Sequence, residues 1–109
     1  MSSTAKKQRH YDDRTIKILY GTAVARCTKC KTNLLLRDVA GNVQQIGEIA
    51  HIYPFGEKNA PRYNEIVIDG FPENKKNDIS NLILLCPNCH KEIDKLPENF
   101  PAKLLIQMK

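Results

Sequence analysis

Four cysteines stand in two pairs, and two residues separate the members of each pair. Cys27 and Cys30 form the first pair, and Cys86 and Cys89 form the second. Thiolates at this spacing lie on one tight turn and point toward the same ion, so two such turns complete a tetrahedral zinc site. With sulfur at all four positions, such a site is structural rather than catalytic. The spacing therefore predicts a zinc ion that joins the early part of the chain to its last third.

Disulfide bonds and thiol redox chemistry are the alternatives for these cysteines. A thioredoxin-like redox site needs one pair beside a β-α-β pattern, and the sequence has no such pattern. Disulfide bonds need an oxidising compartment, whereas the polar N-terminus (MSSTAKKQRHYDDR) lacks the apolar segment of a secretory signal. The sequence therefore predicts a cytoplasmic protein whose reduced cysteines bind zinc.

Three other residues, His51, Asn81 and His90, offer groups for acid–base and metal chemistry. His51 lies in the run Glu-Ile-Ala-His-Ile, and Asn81 and His90 are the two ends of the run Asn-Leu-Ile-Leu-Leu-Cys-Pro-Asn-Cys-His. The order and spacing of these runs, together with the two cysteine pairs, resemble the HNH nuclease motif in its four-cysteine form. The resemblance extends over residues 14–109.

This resemblance implies an α+β fold of the small ββα-metal type, with flanking helices and a zinc site made by the four cysteines. In that fold a β-hairpin packs on one helix, with a divalent ion between them. His51 would be the general base, because neutral imidazole, with a pKa of about 6.5, accepts a proton from water near pH 7. His90 would hold the catalytic ion, Mg²⁺ or another divalent metal. Asn81 would fix the loop near His51 and orient its imidazole.

Position 50 departs from the family pattern. Many members carry an aspartate directly before the general base as a second metal ligand, whereas this chain has Ala50. Either another carboxylate takes this place, or fewer protein groups hold the ion. We expect Glu48 to supply the carboxylate, although in a regular strand it points with Ala50 and away from His51. Asp94, one helical turn after His90, is the second candidate.

A narrower resemblance concerns residues 61–64, Pro-Arg-Tyr-Asn, and the continuation from His90 to Asp94. Both are similar to nuclease domains of bacterial anti-phage effectors, which implies a nuclease of a defence system or a mobile element. Arg62 lies in a long polar stretch and is a candidate for a bidentate contact with a nucleic-acid phosphate. The alternative for Arg62 is an ordinary surface arginine.

The elements that must position these groups can be outlined from the sequence. Residues 1–12 predict a flexible basic tail, and residues 13–109 one nuclease domain. Asp12 and Asp13 precede an apolar face of helical period, which predicts a helix from about residue 13 to 25. A strand is predicted over residues 46–53, ended by Pro54. The polar residues 54–78 predict a long loop, interrupted at residues 66–68.

The last third of the chain is more regular. Residues 79–85 form a compact apolar segment that leads into the second cysteine pair. Pro87 suits the first position of a helix, and Pro97 should end that helix. A final helix is expected after Pro101, with Leu104, Leu105 and Met108 on one face. A turn is expected at residues 40–42, Ala-Gly-Asn.

Composition limits the class of protein. The chain has 109 residues, of which 41% are hydrophobic and 27% charged, as in one globular domain. No apolar run approaches the roughly 20 residues that span a membrane, so no membrane partner is expected. The formal charge of +5 is compatible with a nucleic-acid partner.

Three functions fit this sequence, and they rank in order. The first is a metal-dependent HNH endonuclease that cleaves DNA, with double-stranded DNA as the expected substrate. The second is a non-catalytic zinc-ribbon module that binds nucleic acid, suggested by Ala50 and the basic charge. The third is a structural zinc domain, which leaves the His51, Asn81 and His90 pattern as coincidence. A homodimer, a regulatory partner or a further domain is expected to position DNA and to restrain cutting.

Overall fold

The computed structural model describes residues 11–55 and 58–109. Most of the tail predicted for residues 1–12, including His10, lies outside the described residues. Among the residues described, no helix is both long enough and apolar enough to cross a membrane.

Helix α1 comprises Asp13–Thr22. The Asp12 carboxylate caps it by accepting a hydrogen bond from the Thr15 amide at 2.9 Å, and Leu19 is buried against the core. The predicted end near residue 25 is wrong by about one turn. Val24 and Ala25 have φ values of 57° and 54°, and this left-handed backbone ends the helix and turns the chain toward Cys27.

Strands β1 (Leu35–Arg37) and β2 (Val43–Gln45) form an exposed antiparallel hairpin. Asp38 organises its turn, because one carboxylate oxygen accepts from the amides of Ala40 and Asn42 at 3.0 and 2.9 Å. Gly41 adopts a φ of 90° in this turn. The turn predicted at residues 40–42 is therefore present.

The second sheet pairs strand β3 (Glu48–His51) with strand β4 (Leu82–Leu85) in antiparallel register. Glu48 lies opposite Leu85, and His51 lies opposite Leu82. All four residues of β4 are buried, because helices cover this strand. Strand β3 is shorter than the predicted range 46–53, since residues 46 and 47 connect the two sheets and the chain turns away after His51.

Helix α2 (Tyr63–Asp69) lies within the stretch 54–78, which was predicted as a loop interrupted at residues 66–68. Arg62 precedes this helix with a φ of 64°, and Gly70 ends it with a φ of 70°, a conformation that glycine adopts without strain. Two 3-10 turns, Glu73–Lys75 and Ile79–Asn81, lead from here into β4.

Helix α3 (Pro87–Lys95) starts with proline at its first position, as predicted, and packs on both β3 and β4. Helix α4 (Ala102–Met108) buries Ala102 and Leu105 but leaves Leu104 exposed.

The pair β3–β4 under α3, with α1, α2 and α4 around it, confirms the α+β class and the ββα arrangement. The large aliphatic side chains that are fully buried in the core are Leu34, Ile52, Leu82, Ile83, Leu84, Leu85, Ile93 and Leu105.

Candidate metal centre and active site

The four cysteines converge at one point. Their sulfur atoms all lie within 4.8 Å of one another, and the sulfurs of Cys30 and Cys86 are 3.8 Å apart. A tetrahedral zinc ion with Zn–S bonds of about 2.3 Å places its sulfurs about 3.8 Å apart. The cluster therefore fits a zinc ion, and the grouping of four cysteines predicted from the sequence is confirmed.

The two cysteine pairs are built alike. In each pair the first sulfur accepts from the amide of the second cysteine, at 3.5 Å in the Cys27 pair and 3.4 Å in the Cys86 pair. Burial of Cys27 opposes its ionisation, but nearby backbone N–H groups outweigh burial and lower its pKa to about 6. Burial instead raises the pKa of Cys89. Because four thiolates this close repel one another, a divalent cation is required for all four to ionise.

His51 ends strand β3 and is half-buried. Its Nε2 lies 2.8 Å from Oδ1 of Asn77, and the ring centroids of Tyr11 and Phe55 lie 5.8 and 5.5 Å from that of the imidazole. Asn77 is not among the residues that the sequence pattern predicted for the site. It follows His51 by 26 residues within a polar stretch, where no spacing signals a contact.

His90 lies in the first turn of α3 and contacts a carboxylate through each ring nitrogen. Nδ1 is 2.8 Å from Oε1 of Glu48, and Nε2 is 3.2 Å from Oδ2 of Asp94. The hydrogen bond to Asp94, followed by that to Glu48, raises the pKa of His90 against the opposing effect of burial. Both carboxylates that the sequence suggested therefore lie at His90.

The guanidinium of Arg62 is turned into the protein, and the residue is only 4% exposed. Nε donates to the carbonyl of Ile52 at 2.9 Å, Nη1 to that of Ile93 at 3.3 Å, and Nη2 to Oδ1 of Asp94 at 3.4 Å. Burial of Asp94 opposes its ionisation, but His90 and Arg62 outweigh burial and lower its pKa. Arg62 thus ties the loop after β3 to α3, so the alternative of an ordinary surface arginine is wrong. A contact of Arg62 with nucleic acid stays a prediction.

Asn81 is 1% exposed and binds backbone groups on two segments. Its Oδ1 accepts from the amide of Tyr53 at 2.8 Å, and its Nδ2 donates to the carbonyls of Tyr53 at 3.1 Å and Lys76 at 2.8 Å. Asn81 therefore fastens the loop that follows His51. The side chain 2.8 Å from the His51 ring is that of Asn77.

A small cleft of about 70 Å³ is lined by His51, Ala50, Arg62, His90 and Asp94, together with neighbouring loop residues. Glu48 lines the adjoining groove, which it shares with His90 and Asp94. Within residues 11–55 and 58–109, the cysteine cluster is the only group of three or more His, Cys, Asp or Glu side chains whose ligand atoms all approach within 4.8 Å. A second ion near His90 would therefore be held by His90 and one carboxylate, with water or substrate completing its coordination.

Comparison with known proteins adds one positive result. A family model described as HNH endonuclease matches residues 27–96. The matched span is more than half of the chain, and it contains both cysteine pairs, the cleft and the His51, Asn81 and His90 side chains. No curated protein matches the chain significantly.

Proposed function

The chain belongs to the HNH endonuclease family, and on this premise we propose that it hydrolyses phosphodiester bonds of double-stranded DNA with the help of a divalent metal ion. The observation that carries the proposal is the cleft shared by His51, His90 and Asp94. A general base and a pair of metal-binding groups beside one cavity are what metal-assisted phosphodiester hydrolysis requires.

In this proposal His51 takes a proton from the attacking water as the new P–O bond forms. Neutral imidazole suits this step because its ordinary pKa of about 6.5 lies close to cellular pH. The bond from phosphorus to the 3′ oxygen then breaks, and the departing oxygen takes a proton from a water molecule, which leaves a 5′-phosphate and a 3′-hydroxyl. Asn81 contributes by holding the backbone just after His51.

His90 and one carboxylate would hold the divalent ion, which supplies positive charge to the crowded phosphate and the departing oxygen when bound. We assign the carboxylate to Asp94, because Asp94 shares the cleft with His51 and contacts Nε2 of His90. Glu48 would then orient His90 through Nδ1, as carboxylates often do for metal-binding histidines. A site with only two protein ligands suits Mg²⁺, because this ion keeps several of its water molecules when it binds to a protein.

The biological setting that we propose follows from the narrower sequence resemblance. The similarity of residues 61–64 to anti-phage nucleases supports a role in defence or in a mobile element, within the cytoplasm. Unrestrained DNA cutting would harm the host, which favours control by a partner, a second copy or a further domain.

Plasmid cleavage tests the proposal. Zinc-loaded wild-type protein should nick or linearise plasmid DNA with Mg²⁺ or Mn²⁺ and not with EDTA. His51→Ala should lower the rate by about 10²–10⁴-fold, while the variant keeps its zinc content and a cooperative thermal transition. Gln107→Ala, an exposed change in α4, is the matched control and should cut normally.

Three outcomes would contradict parts of this proposal. A His51→Ala variant that cuts at the wild-type rate would remove His51 from the reaction. Cleavage of RNA in preference to DNA would change the substrate. Salt-sensitive DNA binding without cleavage in any divalent metal would instead support the alternative, a non-catalytic zinc-ribbon module.

A further inference from the structure

Asn77 and His51 make a contact with a defined chemical direction. Oδ1 of Asn77 lies 2.8 Å from Nε2 of His51, which is an ordinary hydrogen-bond length. An amide oxygen only accepts, so the ring nitrogen that faces it must carry the hydrogen. In the neutral ring the other nitrogen, Nδ1, then carries the basic lone pair.

We propose that Asn77 is the positioning residue of the general base. It holds His51 in the Nε2–H tautomer, so that Nδ1 is the atom that takes the proton from the attacking water. This inference rests on the proposed nuclease function and specifies which atom of His51 acts and which residue selects it. The sequence motif contains Asn81, and the structure adds Asn77 as a second asparagine with a separate task.

The backbone around the contact is held on both sides. Asn81 donates to the carbonyl of Lys76, the residue before Asn77, and also binds both backbone groups of Tyr53, two residues after His51. One buried side chain therefore fixes the two segments that carry the pair. The chain beyond Asn77 is held as well, since the amide of Asp78 donates to the carbonyl of Lys75 at 3.1 Å.

The ring of His51 is confined by its neighbours. Tyr11 and Phe55 lie against it with interplanar angles of 34° and 43°. Because the amide contact and the two rings limit rotation of the imidazole, the base is oriented before substrate binds, which favours catalysis. In the described part of the chain, the titratable or charged groups near His51 are Tyr11 and, across the cleft, Arg62, His90 and Asp94.

The opposite orientation of the amide makes the opposite prediction. If the Asn77 amide nitrogen faced the ring, Nε2 would have to accept, and the hydrogen would lie on Nδ1. The two arrangements differ in an observable quantity, the tautomer of His51, whether or not the protein cleaves DNA.

Nitrogen-15 NMR of the imidazole side chains measures this tautomer directly. In zinc-loaded wild-type protein above pH 8, the His51 signals, assigned by their loss in His51→Gln, should show the Nε2–H form. Asn77→Ala should give a mixture of tautomers, whereas Asn88→Ala, an exposed asparagine in α3, should leave the spectrum unchanged. The Nδ1–H form in wild type, or an unaltered tautomer in Asn77→Ala, would overturn the proposal.

Kinetics provide a second readout that a merely structural role would not produce. Asn77→Ala should lower kcat by about 10–100-fold with little change in KM, by analogy with other residues that orient functional histidines.

Asn77→Asp retains an acceptor and adds a negative charge, so it should keep cleavage but move the acid limb of the pH–rate profile upward by about 1–2 pH units. An unchanged profile in Asn77→Asp would contradict the contact in solution. If wild type fails to cut DNA, the nuclease proposal fails, while the NMR result still decides the tautomer.

Discussion

Arg62 and Asp94 connect the loop after β3 to α3 through an ion pair, with Nη2 and Oδ1 3.4 Å apart. The arginine side chain is 2% exposed and that of the aspartate is 41% exposed. Because Oδ1 faces Arg62, the other oxygen, Oδ2, is the one that faces Nε2 of His90. The buried guanidinium thus sets the direction of the carboxylate that we assign to the catalytic ion.

Replacing each of the two acids that contact His90, Asp94 and Glu48, with its amide distinguishes their roles. Asp94→Asn should lower the cleavage rate by about 10²-fold or more and weaken the dependence on Mg²⁺, because the variant loses a charged ligand. Glu48→Gln should cost about tenfold, since it weakens only the orientation of His90. Initial rates over a Mg²⁺ titration measure both effects.

Glu92→Gln is the matched control, because Glu92 is an exposed acid on the same helix as Asp94. Its ion pair with Lys29, at 3.2 Å, is at the surface, and such pairs contribute little to stability. The reverse ranking, with Glu48→Gln the more damaging change, would assign the ion to Glu48 as the sequence first suggested.

Arg62 combines a left-handed backbone with a buried side chain, and two substitutions separate these features. Arg62→Ala should lower the free energy of unfolding by roughly 2–3 kcal/mol, because buried carbonyls lose their donors. Arg62→Gly loses the same donors but adopts the φ of 64° freely, so it should be more stable than the alanine variant by about 1 kcal/mol. Urea unfolding of the zinc-loaded variants measures the difference, and equal stabilities would show that the backbone at this position is not strained.

The cysteine cluster predicts one zinc ion per chain that is needed for folding. Removing zinc with a strong chelator, or replacing Cys27 with serine, should abolish the cooperative thermal transition, since binding of structural zinc contributes folding free energy directly. Native mass spectrometry gives the stoichiometry and circular dichroism gives the transition. Thr28→Ser, between the first two ligands, should retain both. A metal-free protein that melts as the wild type does would contradict this prediction.

Two glycines should respond oppositely to alanine. A Cβ at Gly47 would lie 2.6 Å from the Tyr20 hydroxyl and 3.0 and 3.1 Å from methyl groups of Leu34 and Leu84, whereas a Cβ at Gly21 meets nothing within 4 Å. Gly47→Ala should therefore destabilise the fold by about 1–3 kcal/mol. Gly21→Ala, within α1, should stabilise it by about 0.5–1 kcal/mol. Thermal melts of the two variants provide the comparison. An unchanged melting temperature for Gly47→Ala would show that the side chains around Gly47 can move away from the added methyl group at little cost.

Local patterns predicted the regular elements well and their ends less well. Pro87 marked the start of α3 because proline suits the first helical position. The apolar residues of β4 indicated a buried segment. By contrast, the end of α1 and the start of α2 involve residues in the left-handed region, Val24, Ala25 and Arg62, a conformation that these residue types rarely adopt and that no local pattern indicates.

The sequence by itself determined that each cysteine pair offers two thiols to one ion, because two cysteines separated by two residues share one turn whatever the rest of the fold does. It also determined the family and its three motif residues, since order and spacing along the chain carry that information. Only the tertiary structure decided which side chains surround the two histidines. Asn77 reaches His51 across 26 residues, and Glu48 reaches His90 across 42. Such contacts depend on how loops and sheet register bring distant segments together, which no local period encodes.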